Sequence, residues 1–207
     1  MSLARRERLA LVATMTEAGP AAPTLCGTWT AHDLAAHLVV RERRPDAALG
    51  ILVPPLAGYL DKVQTEIARQ SFAQLLELVR TGPPWWSPLR PVDAMANLTE
   101  MFIHHEDVRR AEPGWEPRQL AAADEDRLWK ALRAVARTAY RKSPVALVLA
   151  NPAGAEITAH RGDGTPVVLT GTPSELLLHA FGRDEVRITA TGDDDAVRAA
   201  LATDRSV

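Results

Sequence analysis

The chain has 207 residues, 46% of them hydrophobic and 24% charged, with a net charge of −2 and one cysteine. It is long enough for one large domain or two small ones, and for a sizeable core. The near-neutral charge gives no reason to expect nucleic acid as a partner, and no apolar run is long enough to span a bilayer. One cysteine excludes an internal disulfide and the Cys-rich zinc motifs, and points to the cytoplasm.

Residues 2–17 read as an amphipathic helix with Leu3, Leu9, Leu11, Val12 and Met15 at apolar positions, stopped by Gly19 and Pro20. The opening stretch lacks the unbroken apolar core and small-residue cleavage site of a signal peptide. A Pro- and Gly-rich loop follows and carries Cys26, for which the sequence shows no His or Asp partner. Thr30 to Asp33 reads as a capping box opening a second helix from about Ala31 to Leu49. His37 lies beside its apolar stripe of Leu34, Ala35 and Leu38, with Asp33, Arg41 and Arg44 on the His37 side. A lone helical histidine is more often a boundary residue than a ligand. Prolines then delay a third helix to Leu56–Arg69, and a fourth covers Phe72–Arg80. The loop with Trp85 and Trp86 is expected to cover the bundle end rather than to line a pocket mouth.

The most informative stretch is Asp93 to Ala111, DAMANLTEMFIHHEDVRRA, free of Gly and Pro and preceded by Pro91. At about 100° per residue, Asp93, Asn97, Glu100, His104 and Asp107 fall within roughly 80° of arc, beside an apolar arc of Ala94, Leu98, Met101, Phe102 and Val108. Glu100 and His104, at i and i+4, can point at one atom. With a side chain from another helix they would hold a divalent metal. Such a pair is also common on solvated helix faces; the polar stripe along the core edge is what favours a lined pocket. Helical phase prefers His104 over His105, and a π-bulge would exchange them.

A fifth helix is expected over residues 121–142. The pattern then changes to strands: VALVLA, EITAHRGDG and PVVLTG, a helix from Thr172 through LLLHAFG, a fourth strand VRITATG, and a last helix DDDAVRAALA. The fold class is α+β: a helical domain over residues 1–142 and a small α/β domain over 143–207. His160 and His179 read as incidental surface or boundary residues.

The ordered motifs Trp29-Thr30-Ala31-His32-Asp33-Leu34-Ala35-Ala36-His37-Leu38 and Glu100-Met101-Phe102-Ile103-His104-His105-Glu106-Asp107 resemble those of the mycothiol-dependent maleylpyruvate isomerase family, a branch of the DinB-like helical bundles. Residues 176–183, LLLHAFGR, resemble a helix of that family's small C-terminal domain, itself similar to sterol-carrier folds. The resemblance implies an up-down DinB-like bundle followed by that domain. It implies zinc, or nickel or another divalent ion, held by His37, Glu100 and His104 with one position open. It further implies mycothiol as the low-molecular-weight thiol, activated for attack on a small electrophile in a transferase or isomerase reaction. Asp107 would orient a ligand or act as a general base, Asn97 would hold substrate or water, and Arg183 would reach the thiol cofactor or a substrate carboxylate. Arg41 is a second candidate for cofactor binding. The alternative is a non-catalytic metal- or small-ligand-binding regulatory module, favoured if His32 or Asp107 closes the site as a fourth ligand.

Overall fold

The computed structural model describes residues 1–48, 50, 53–84 and 93–205, with residues 54 and 93–96 through their backbone alone. Trp85 and Trp86 lie outside the described residues. The chain forms two compact units, Met1–Trp115 and Glu116–Val207. The architecture is α+β, helices with one four-stranded sheet. No described helix is long and apolar enough to cross a membrane.

The first unit is helical: α1 Leu3–Ala18, α2 Ala31–Arg43, the short α3 Pro45–Ala48, α4 Ala57–Ile67, α5 Phe72–Thr81 and α6 Asp93–Arg109. Local chemistry sets the ends. Gly19, at φ 85°, returns its N–H to the Met15 carbonyl and stops α1. The predicted capping box forms: Asp33 N–H donates to the Thr30 hydroxyl at 3.3 Å, and Thr30 N–H to the Asp33 carboxylate at 2.9 Å. The second helix is shorter than expected. Arg44 leaves helical geometry at φ −126° and ψ 69° because Pro45 follows, and α3 starts on that proline.

Leu11 and Met15 of α1, Leu34 and Leu38 of α2, Leu75 and Val79 of α5, and Met101 of α6 build one buried cluster. Two buried polar ties fix the phase of these helices. Arg8 donates to Glu42 at 2.9 Å and to the Val79 carbonyl at 2.8 Å, joining α1, α2 and α5. His105 of α6 meets Glu7 at 2.9 Å and Thr14 at 3.0 Å, both on α1. With its apolar side on the core and His105 held to α1, α6 keeps its Glu100–His104 edge toward α2.

In the second unit, α7 Ala122–Ala139 packs on α8 Pro173–Ala180 and on strand β2 Glu156–His160. β1 Leu147–Ala150, β3 Val167–Thr170 and β4 Thr189–Thr191 complete a sheet of order β2-β1-β3-β4. β1 runs parallel to β3; the outer pairings are antiparallel. Alternation buries Leu147, Leu149, Val167 and Leu169. Helix α9, Asp194–Leu201, follows β4 and is capped by Asp193. The sequence pattern changes from helix to strand at 142/143, but the compact units divide at 115/116, because α7 buries its apolar stripe against α8 and the sheet. His179 is 2% exposed, and its Nδ1 is hydrogen-bonded to the Tyr140 hydroxyl at 2.6 Å. It is a core residue of this unit, not a boundary one.

Candidate metal centre

Helices α2 and α6 place His37, Glu100 and His104 together, with one ligand-capable atom of each within 4.8 Å of the others. His104 Nε2 stands 3.0 Å from Glu100 Oε2, and the rings of His37 and His104 lie 5.7 Å apart at 75°. These separations suit three donors on one divalent ion with bonds of about 2.0–2.2 Å. Among the described residues His37 Nδ1 is buried without a hydrogen-bond partner, an orphaned polar atom beside the other two ligand candidates. A set of two imidazoles and a carboxylate is a donor combination that fits zinc.

The electrostatics suit ligation. Burial, and after it the neighbouring His104, press the His37 imidazole down to about 4, so it is the neutral base a metal requires. Burial alone would raise the Glu100 carboxyl. Its bond with His104 and the charges of His104 and Arg41 outweigh that and hold it at about 2. For His104 burial opposes protonation, but bonds to Asp107, Cys26 and Glu100 win, and its pKa stands well above the usual 6.5.

Around these three, Asp107 is fully buried and meets His104 Nδ1 at 2.9 Å through Oδ2. This is the carboxylate–histidine arrangement that fixes a ligating imidazole's tautomer. Arg41 pairs with Glu100 at 3.2 Å and donates to Asn97 Oδ1 at 2.7 Å, so this candidate for cofactor binding is engaged within the cluster. Asn97 is 2% exposed, and among the described residues its Nδ2 has no hydrogen-bond partner. α6 is α-helical throughout Asp93–Arg109, so no π-bulge exchanges the histidines, and His105 faces α1. Of the possible fourth ligands, His32 meets the Gln70 carbonyl at 3.2 Å and Asp107 lies on the Nδ1 side of His104. Arg183 belongs to the second unit, where it donates to the Phe181 carbonyl at 2.5 Å and lines a cavity of about 500 Å³ with Asp184 and Arg205. The side chain of Asp93 lies outside the described ones.

The sequence shows no His or Asp partner for Cys26, and the fold supplies both. Its thiol donates to Asp107 at 3.1 Å and lies 3.7 Å from His104 Nδ1, and these partners come 81 and 78 residues later in the chain. Trp29, from the same loop, sets its ring 5.0 Å from that of His37.

No protein-family profile and no curated protein matches this chain. Among solved structures, it is similar to the crystal structure of the mycothiol-dependent maleylpyruvate isomerase, with a TM-score of 0.64 over 91% of this chain and 90% of that one. At 14% identity the likeness is one of fold: this chain shares the α+β fold of that isomerase and carries within it a cluster of candidate metal ligands.

Proposed function

We propose that the protein is a metal- and thiol-dependent enzyme, a transferase or isomerase acting on a small electrophile, with mycothiol as its thiol. The observation that carries this reading is the convergence of His37, Glu100 and His104, three donors that would leave a tetrahedral ion one position for a thiol or water, in a fold similar to that of a mycothiol-dependent isomerase. His37, Glu100 and His104 hold the ion, zinc by donor type with nickel as an alternative. Held by these residues, zinc would supply Lewis acidity that lowers the pKa of a thiol. Asp107 keeps the His104 proton on Nδ1 and leaves Nε2 as the donor atom. Arg41 fixes the far oxygen of Glu100 and the carbonyl of Asn97, which leaves the Asn97 amide to donate to substrate or water. Arg183 is the proposed contact to a carboxylate of thiol or substrate. Partners are small molecules, and the setting is the cytoplasm.

The test is elemental analysis of protein purified without a metal-affinity tag, wild type beside His37→Ala, followed by assay with mycothiol and electrophiles. About one zinc or nickel per chain, lost in the variant, with thiol-dependent consumption of an electrophile, is the expected result. Metal without thiol binding or turnover would make the protein a binding module. No metal in either form, even after reloading, would sink the reading.

A further inference from the structure

Cys26 lies in the loop between α1 and α2, half-buried against the bundle core. Its thiol donates to Asp107 Oδ2 at 3.1 Å, the same oxygen that meets His104 Nδ1 at 2.9 Å. The backbone ties the loop to the same turn of α6, because Leu25 N–H donates to the Asp107 carbonyl at 3.1 Å. Within the loop, Cys26 N–H donates to the Thr24 hydroxyl at 3.2 Å and that hydroxyl to the Trp29 carbonyl at 2.8 Å. Trp29 N–H closes the turn on the Cys26 carbonyl at 3.2 Å.

We propose that Cys26 is a positioning residue of the metal centre: its thiol, acting through Asp107, holds the His104 imidazole with Nε2 toward His37 and Glu100. The inference rests on the metal-binding reading above. Oδ2 of Asp107 takes both the thiol and the imidazole N–H, so the thiol favours the carboxylate rotation that presents this oxygen to the ring. A thiol suits the place because it packs as a small apolar group and donates weakly, leaving Oδ2 most of its negative character toward the imidazole N–H. Cys26 is not a ligand to the same ion. Its sulfur approaches His104 from the Nδ1 side, whereas Glu100 meets Nε2, and one ion cannot take both nitrogens of one ring.

The test is zinc affinity, measured by competition with a chromophoric chelator, for wild type, Cys26→Ala, Cys26→Ser, Asp107→Asn and the Cys26→Ala/Asp107→Asn double variant. Metal-free melting by circular dichroism separates folding from binding. Cys26→Ala is expected to bind about tenfold more weakly, the lower end of the effect of an outer-shell group. Cys26→Ser, which keeps a donor, should stay near wild type. In the Asp107→Asn background the cysteine substitution should cost nothing further, since its path runs through that carboxylate. Where alanine unfolds the loop, Cys26→Val fills the space without a donor. Equal affinity in wild type and Cys26→Ala overturns the proposal. So does an undiminished loss in the Asp107→Asn background, or a sulfur-to-metal charge-transfer band in the cobalt-loaded wild type. A wild type that binds no zinc fails the metal reading itself, whereas zinc binding indifferent to Cys26 fails this inference alone.

Discussion

The imidazole of His105 meets the carboxylate of Glu7 at 2.9 Å, with both side chains 5% exposed. The neighbouring His104 turns instead to Glu100. Two adjacent histidines thus have separate duties, and mutation should separate them. His105→Ala removes the group that joins α6 to Glu7 and Thr14 of α1. It should cost about 1–3 kcal/mol of stability, read by denaturant unfolding, and leave metal content unchanged. His104→Ala should do the reverse, losing most bound metal with little loss of helical signal. Metal loss in the His105 variant with retention in the His104 variant would reverse the assignment.

Metal uptake should release protons. Without metal, the bonds of His104 to Asp107, Cys26 and Glu100 raise its pKa well above 6.5 and favour its protonated form, whereas a ligating imidazole must be neutral. Zinc binding at pH 7 should therefore release about one proton, visible in calorimetry as a dependence of the binding enthalpy on the buffer's ionisation enthalpy. As pH falls through the raised value, affinity should drop about tenfold per unit. A binding enthalpy identical in all buffers would show that His104 is neutral before binding.

His179 predicts an acid limb of stability in the second unit. Burial first, and then the Arg205 charge, press its pKa from the ordinary 6.5 to about 3. Between those values the unfolded chain holds a proton that the folded one does not. The neutral-pH stability is therefore complete above about 6.5 and declines as pH falls toward 3, by at most about 1.4 kcal/mol per unit. Unfolding at pH 7 and pH 5 should differ by about 2 kcal/mol more in wild type than in His179→Asn, which does not titrate. An equal pH dependence in both proteins would exclude His179 as the source.

The cap on α2 should matter to folding but not to chemistry. Thr30→Ala removes the acceptor for Asp33 N–H and should cost about 1 kcal/mol. His37 sits two turns further on, packed by Trp29, so metal stoichiometry should hold. A variant that folds well but loads no metal would mean that the cap sets the position of His37.

Much of the site was legible because its parts repeat at helical spacing. The Asn97, Glu100, His104 and Asp107 edge follows from 100° per residue, and a Thr30–Asp33 box announces where α2 begins. α2 ends short of the expected Leu49 for a local reason, the backbone demand of Pro45. The partners of Cys26 and Arg41 were invisible because those contacts span 81 and 56 residues, and no local period encodes them. The placement of α7 is a similar case. Its stripe of Leu128 and Leu132 reads as core without saying which core, and α8 and the sheet of the second unit receive it.

His37 and Glu100 belong to helices with α3, α4 and α5 between them in the chain. An unfolded chain would have to close that long loop before offering both donors to one ion, so the ion discriminates strongly between the native and unfolded ensembles. Any affinity it has is therefore almost wholly linked to folding, and the melting temperature of the first unit becomes a gauge of free metal, rising with its logarithm once the dissociation constant is exceeded. On the metal-binding reading proposed above, depletion of the ion in a cell would lower the abundance of this protein.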